Sequence, residues 1–234
     1  MAPLVMVPAL GCDGGLYGDL TPALSDLVEP RTVIASADRL SACVADVLAA
    51  APAQFVILGT SFGGRVAMEV AAAAPDRVRG LIVVGASAGP SPDPAAGHRR
   101  TMRLRGGEFA AVLDEMAAMV VHGEGPRGPA TRALFIAMAE RQGAELMARQ
   151  SDALAHRGDL RPALTSLSCP ALLIWGRHDR FVAADEGMAL AATMPRTRFV
   201  EVADCGHFPS LEAPEETAQA IRHWLVDMGL TPGW

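Results

Sequence analysis

The sequence predicts an α/β protein in which helices cover both faces of a mostly parallel sheet. Short apolar runs rich in β-branched residues alternate with helical stretches, which is the pattern of a buried parallel sheet. The alternation stops near residue 87 and resumes near residue 168, and the segment between them shows only amphipathic helical windows. We therefore expect a core built from residues 1–87 and 168–234, with residues 88–167 inserted as a helical cap.

The predicted strands are short, and loops rich in glycine, proline or small residues separate them from the helices. In chain order they span residues 4–7, 32–35, 55–58, 78–84, 171–175 and 198–202. The core helices begin at Pro22, with Thr21 as N-cap, and continue at 38–50, 62–73, 184–193 and from Pro214 to before Gly229. The helical windows of the cap span residues 95–104, 108–121 and 130–150.

The composition argues against several classes of function. The 234 residues carry a net charge of −6, which argues against binding to nucleic acid or to anionic membrane surfaces. All 20 basic residues are arginine, so a P-loop lysine and a Schiff-base lysine are excluded. The four cysteines are scattered and have no metal-binding spacing: Cys12, Cys43, Cys169 and Cys205. We expect neither a metal nor a cofactor.

The sequence also shows no segment that would direct the chain to a membrane. No apolar run approaches the roughly 20 residues that a transmembrane helix needs. Met1–Leu10 lacks the basic region of a signal peptide. We therefore expect a cytoplasmic protein with reduced thiols, whose oligomeric state the sequence leaves open.

The clearest indication of chemistry lies at residues 55–64, which read F-V-I-L-G-T-S-F-G-G. An apolar strand is followed by a G-x-S-x-G pattern that opens a helix. A strand that turns directly into a helix brings Gly59 close to Gly63, where any larger residue would clash. The turn would hold Ser61 on strained backbone and expose its hydroxyl at the helix N-terminus. So short a match also arises by chance, and the flanking strand and helix are what favour a nucleophile.

Asp179 and His207 are the predicted partners of Ser61. Each of the three follows a predicted strand, so all should lie at the carboxyl edge of the sheet, where ligands bind. The histidine would take the proton of the serine, and the aspartate would orient the imidazole. Two other acids are weaker alternatives, because Asp185 lies within the next helix and Asp204 shares the loop of His207.

An oxyanion hole is needed to complete such a site. One expected donor is the backbone N–H of Phe62, directly after the nucleophile. The second is expected from the loop that follows the first strand, where we choose the N–H of Leu10. Without Ser61, that loop would be interpreted as an ordinary turn from strand to helix.

Taken together, these motifs resemble those of the α/β-hydrolase superfamily. The likeness spans nearly the whole chain: G-T-S-F-G at the turn, G-R-H-D after the fifth strand, C-G-H-F after the last strand, and a helical cap. The chain looks most like the small carboxylesterase-type members. It departs from many of them in carrying Pro8-Ala9 where they have His-Gly. The two antiparallel strands that commonly open the family's sheet have no counterpart, which implies a sheet shortened at the N-terminus.

The sequence therefore favours a serine hydrolase that cleaves carboxylic esters of small to medium acyl chains through an acyl-enzyme. A small-molecule ester is the expected partner. Thioesterase, lactonase, acyltransferase and perhydrolase activities use the same three residues and stay open. A catalytically silent ligand receptor or a non-catalytic scaffold also stays open. The predicted pocket residues are Trp175, Phe208, Met116 and Met119, with Arg65 as a further candidate.

Overall fold

The computed structural model describes residues 1–231. Six strands form its sheet: β1 (Ala2–Val7), β2 (Val28–Thr32), β3 (Phe55–Thr60), β4 (Val78–Val84), β5 (Ala171–Gly176) and β6 (Thr197–Val202). Their order across the sheet is β2-β1-β3-β4-β5-β6, and every neighbouring pair is parallel. The predicted parallel sheet is confirmed. Its strands all point their carboxyl ends to one edge, where sites form in folds of this kind.

The central strands are built from residues that tolerate burial on both faces. Every residue of β3 and of β5 is buried, and both strands consist mainly of leucine, isoleucine, valine and aromatic residues. The edge strand β2 differs, because only Val28 is buried in it. Pro30 is tolerated there, since a strand with one neighbour can spare a backbone N–H.

Helices cover the sheet and fill the insertion. In chain order they are α1 (Leu20–Ala23), α2 (Leu40–Ala50), α3 (Phe62–Ala73), α4 (Pro94–Arg105), α5 (Phe109–Val120), α6 (Gly128–Gln142), α7 (Ala144–Ala155), α8 (Arg161–Leu164), α9 (Ala184–Thr193), α10 (Pro209–Glu212) and α11 (Pro214–Asp227). The chain reverses direction across the sheet after β2, so right-handed crossovers place α1 and α2 on opposite faces. No helix within residues 1–231 is long and apolar enough to cross a membrane.

The strand-free stretch between β4 and β5 contains α4 to α8. α4 and α7 pack closely, because Gly97 has no side chain to hold them apart: a Cβ there would come within 2.7 Å of Ala155 Cβ. The hydroxyl of Thr101 donates to the carbonyl of Ala148 across the same contact at 3.3 Å. Buried side chains of α4 to α7 form the interior of this insertion: Leu104, Leu113, Phe135, Met138 and Met147.

Arg65 on α3 ties both ends of the insertion to the core. Its Nη1 donates to the carbonyls of Ala88 and Gly89, where the chain leaves the core, at 3.3 and 3.0 Å. Its Nη2 donates to the carbonyl of Gly158, where the chain returns, at 2.9 Å. The side chain is 97% buried, and an ion pair with Glu69 at 2.7 Å balances its charge. Arg65 is thus a clamp between the core and the cap.

Three predicted elements differ from the structure. The first core helix was expected to begin at Pro22 with Thr21 as its N-cap, but α1 begins at Leu20, with Asp19 as the N-cap residue. The second strand was expected at residues 32–35 and lies instead at Val28–Thr32, although Val33 N–H still bonds to Met6 at 2.9 Å. Ala35, an apolar residue of the expected strand, lies instead in the loop after β2, where it is buried against the insertion. The single helix expected at 130–150 is split into α6 and α7 at Gly143, whose φ of 82° cannot continue a helix.

Candidate active site

Ser61 lies at the sharp turn between β3 and α3. Its φ of 55° and ψ of −115° are strained for a residue with a side chain, and such a conformation costs about 1–3 kcal/mol. The turn is held by the Ser61 N–H, which donates to the carbonyl of Val84 at the end of β4 at 2.8 Å. Backbone strain retained in a folded protein is typical of functional positions.

The two glycines of the motif leave no room for side chains. A Cβ at Gly59 would overlap the carbonyl oxygen of Gly63, and one at Gly63 would overlap the carbonyl oxygen of Val7. The close approach of these backbones sets the position of α3 against β1 and β3. The predicted close approach of the two positions therefore accounts for Gly59, whereas Gly63 is required by its contact with the end of β1.

Asp179 and His207 follow β5 and β6, and their side chains are in contact. His207 Nδ1 and Asp179 Oδ2 are 2.6 Å apart, in a pair whose residues are only 1% and 7% exposed. The other oxygen, Asp179 Oδ1, accepts the N–H groups of Phe181 and Val182 at 2.8 and 2.9 Å. The carboxylate is thus fixed on both sides. Asp204, the alternative acid, is exposed to solvent.

His207 is oriented so that its second nitrogen is available. A carboxylate on Nδ1 places the imidazole proton there and leaves Nε2 as the acceptor in the neutral ring. Nε2 is buried and has no hydrogen-bond partner among the described residues. The rings of Phe181 and Phe208 flank the imidazole, with centroids 5.2 and 5.3 Å away. An unpartnered buried acceptor is costly, and a nearby proton donor would relieve that cost.

Ser61 and His207 line one small cavity, which we call the catalytic cavity. Its volume is about 10 Å³, roughly the space of a single water molecule. Apolar side chains from the insertion and from the core form the rest of its wall: Ala9, Leu10, Met116, Val120, Phe135, Leu154, Phe181 and Phe208. The structure therefore brings the nucleophile and base candidates to one largely apolar cavity, beneath the cap.

The loop after β1 also reaches this cavity through Leu10. Among the described residues, no hydrogen bond uses the Leu10 N–H. Two contacts hold the loop: Gly11 N–H donates to Gln150 Oε1 of α7 at 2.8 Å, and the Tyr17 hydroxyl donates to the carbonyl of Val7 at 2.7 Å. Phe62, the other predicted oxyanion residue, is the first residue of α3, whose opening N–H groups have no helical acceptor.

Two predicted pocket residues lie away from the catalytic cavity. Trp175 is fully buried under α9, where a Cβ on Gly187 would come within 2.7 Å of its ring, and its Nε1 donates to the Val182 carbonyl at 3.0 Å. Met119 is 44% exposed on α5, whereas Met116, three residues earlier on the same helix, is buried. Met116 and Phe208 line the cavity. Periodicity alone did not separate inward from outward methionines.

Glu212 is a site-neighbouring residue that the sequence analysis missed. It is only 6% exposed, and its carboxylate accepts the backbone N–H groups of Gly206 and Phe208, on either side of His207, both at 3.0 Å. It also accepts the N–H of His122 in the insertion at 2.9 Å. The carboxylate thus accepts the N–H of Phe208, the N-cap residue of α10, from four residues further along the chain. This is not the three-residue spacing of a capping box, so the sequence carried no standard signal for it.

We expect Glu212→Gln to lower the free energy of unfolding by about 1–3 kcal/mol. One carboxylate oxygen would be replaced by an NH₂ group. That group cannot accept a hydrogen bond from the backbone N–H groups that it would face. Chemical denaturation measures the change, with Glu216→Gln as the matched control, because Glu216 is exposed on the neighbouring helix. Equal stabilities of the two variants would contradict the assigned role.

The remaining titratable groups do not form a metal site. Among residues 1–231, no three His, Cys, Asp or Glu side chains are grouped so that they could hold a metal ion. All four cysteines are free and buried. Burial raises the pKa of the Cys169 thiol to about 11, and burial likewise raises the pKa of Cys12 and of Cys205. These thiols are therefore poor nucleophiles beside Ser61.

Comparison with known proteins identifies the family of the chain. Residues 3–220 match the model of the alpha/beta hydrolase family. The chain is similar to a pimeloyl-[acyl-carrier protein] methyl ester esterase of Aeromonas hydrophila, with 27% identity over 95% of this chain and 94% of that protein. A protein of the same description from Stenotrophomonas maltophilia is 29% identical over 98% of this chain and 95% of its own length.

Among solved structures, a thermophilic esterase from Thermogutta terrifontis has a similar fold. The TM-score is 0.88 at 28% identity, with 97% of this chain and 90% of that chain covered. The six-stranded parallel sheet with its helical insertion is thus the α/β-hydrolase fold that the motifs predicted. This chain belongs to the alpha/beta hydrolase family.

Proposed function

We propose that the chain hydrolyses carboxylic esters through an acyl-enzyme on Ser61. The observation that carries this proposal is the Asp179–His207 pair, 2.6 Å apart, whose free Nε2 belongs to a residue lining the same cavity as Ser61. A histidine that is already oriented by a carboxylate is suited to remove a serine proton. The esterases among the similar proteins support an ester as the group that is cleaved.

In the proposed reaction, His207 Nε2 takes the hydroxyl proton as Ser61 Oγ attacks the ester carbonyl carbon. The N–H groups of Leu10 and Phe62 would bind the oxygen that becomes negative. The imidazolium then gives its proton to the alkoxide as the carbon–oxygen bond breaks, which releases the alcohol. Water attacks the acyl-enzyme while His207 takes one of its protons. The imidazolium then returns that proton to Ser61 Oγ as the bond between Oγ and the acyl carbon breaks, which frees the acid and restores the enzyme.

The shape of the site bears on substrate size. A cavity of about 10 Å³ does not hold an ester, so the roof of the cavity must move before a substrate binds. Met116, Val120 and Phe135 from the insertion form that roof. Since methionine is a flexible side chain that adapts to the shape of its neighbours, the site should accept small to medium acyl chains at Met116.

We expect a panel of 4-nitrophenyl esters to show the highest kcat/KM for short acyl chains. The kcat/KM should fall once the acyl chain is too long for the space under Met116. Met116→Ala should move the maximum towards longer chains, because it removes the terminal atoms of that side chain from the cavity. Met119→Ala is the matched control, since Met119 is on the same helix but exposed, and it should leave the profile unchanged.

The same panel tests the alternative reactions. It includes a thioester, a lactone and the dimethyl ester of pimelate, the last because of the substrate named for the similar esterases. A rate on the thioester or the lactone far above every ester rate would replace the proposed activity. Ligand binding without any release of alcohol would favour a receptor instead.

A further inference from the structure

Ser61 lies between two chambers, of which the catalytic cavity is one. The second chamber has a volume of about 30 Å³. Ser61, Leu154 and Phe181 line both chambers, so the two meet at the nucleophile. The catalytic cavity is walled almost entirely by apolar side chains, whereas two arginines, Arg65 and Arg157, line the second chamber. A substrate that fills both would need an apolar part and a part that suits a cation.

The two arginines differ in how their charge is balanced. Arg65 forms an ion pair with Glu69, and its other donors are used on the carbonyls that clamp the insertion. Its guanidinium is therefore occupied by the protein itself. Arg157, just after α7, has no carboxylate within ion-pair distance among the described residues.

The hydrogen bonds of Arg157 are few and long. Its Nε donates to the carbonyl of Gly89 and its Nη1 to the carbonyl of Leu154, both at 3.3 Å. Its Nη2 donates to no group of residues 1–231. Arginine offers five N–H donors in a planar fork that matches a carboxylate or a phosphate. Most of that fork is unused here.

The charges around Arg157 leave it with an excess of positive charge. Burial and the nearby charge of Arg65 lower its pKa, and Glu186, which lies beyond ion-pair distance, acts in the opposite direction. Arg100 is also close enough to interact, and its Nε is bonded to the Ser151 hydroxyl at 2.9 Å rather than to an acid. A half-buried cation in this setting is stabilised by an anion that the protein does not supply.

We propose that Arg157 is the anion-binding position of the active site, and that the substrates are esters carrying a negatively charged carboxylate or phosphate group near the scissile bond. The apolar part of such a substrate occupies the catalytic cavity, and its charged part occupies the second chamber. This inference rests on the proposed ester hydrolysis at Ser61. Within that reaction it assigns Arg157 to substrate specificity, through contact with the substrate.

The test compares two 4-nitrophenyl esters with acyl chains of equal length: the glutarate half-ester, which is anionic, and the valerate, which is neutral. Arg157→Gln should raise the KM of the half-ester about tenfold to a hundredfold, the loss expected for a hydrogen bond to a charged group. The KM of the valerate should rise far less, because its neutral acyl chain has no charge to pair with the guanidinium. Arg157→Lys, which keeps the charge and loses the fork, should fall between the two.

Arg161→Gln is the matched control, because Arg161 is exposed and already paired with Asp159 at 2.6 Å. It removes the same charge from the same region, so a merely long-range effect would appear in both variants. Inhibition of valerate hydrolysis by glutarate, compared with inhibition by inorganic phosphate, identifies which anion the position prefers. Equal losses in Arg157→Gln and Arg161→Gln on the half-ester would overturn the inference.

Failure of ester hydrolysis itself gives a different result. In that case the wild-type protein would turn over neither ester, and a fluorophosphonate would not label Ser61. Titration calorimetry with glutarate and with phosphate then decides the inference alone. Anion binding that Arg157→Gln weakens and Arg161→Gln does not would uphold the anion-binding position. Equal binding to the wild type and both variants would overturn it.

Discussion

Replacing Ser61 by alanine is expected to reduce ester hydrolysis by about a million-fold, as removal of comparable nucleophiles does. The change deletes only the oxygen that would form the acyl-enzyme. Alanine meets the same backbone strain at a φ of 55° as serine does, so the fold should persist. Initial rates on 4-nitrophenyl butyrate, together with circular dichroism of the purified variant, measure both effects.

The control for that experiment is Ser166→Ala, which removes a hydroxyl at an exposed position far along the chain. It should retain the parental rate. A fluorophosphonate should label the wild type and the control but not Ser61→Ala. Parental turnover in the Ser61 variant would exclude an acyl-enzyme at this residue, and the proposed reaction would then be wrong.

Asp179→Asn is expected to lower kcat by about 10⁴-fold, the loss known for the equivalent change in other sites with this arrangement. The structure explains the size of the loss. The N–H groups of Phe181 and Val182 bind Oδ1 and would keep the amide oxygen on that side. The amide NH₂ would then face His207 Nδ1. That nitrogen would have to become an acceptor, which moves the imidazole proton to Nε2.

Asp204→Asn is the matched control, because Asp204 shares the loop of His207 but is exposed. It should change kcat by less than about twofold, as surface substitutions away from a site usually do. The comparison measures kcat at one pH for both variants, with stability checked by thermal melting. If Asp204→Asn lost activity and Asp179→Asn kept it, the orienting acid would have been assigned to the wrong loop.

The parts of the site that depend on short-range rules could be predicted from the sequence. A strand that turns at once into a helix constrains Gly59 and Gly63 through local sterics, and the turn then locates Ser61. Asp179 and His207 followed from their positions after strands, because parallel strands end at one edge. The β-strand at 171–176 and the helix at 184–193 could also be predicted from short stretches of sequence. Apolar residues define each element, and residues that break regular structure mark its ends.

The parts that depend on tertiary packing could not be predicted. Arg157 was not singled out, because its neighbours along the chain do not show that it has no acidic partner within residues 1–231. They also do not show that the nearby Arg65 is already paired with Glu69. Trp175 was expected in the pocket, yet its ring packs against α9. Glu212 binds backbone N–H groups of two segments, the loop of His207 and the insertion at His122, which only the folded chain brings together.

The distance along the chain between the strands that carry the site has a consequence for when the protein becomes active during folding. Ser61 is made early, on β3, whereas Asp179 and His207 come from the last two strands to be synthesised, β5 and β6. The His207 N–H also donates to the carbonyl of Val120, so this further anchor of the cap forms only when the final loop docks. Pairings between such distant segments form late in folding. Recovery of activity after dilution from denaturant should therefore lag behind recovery of helix content, and a nascent chain that ends before β6 should remain inactive.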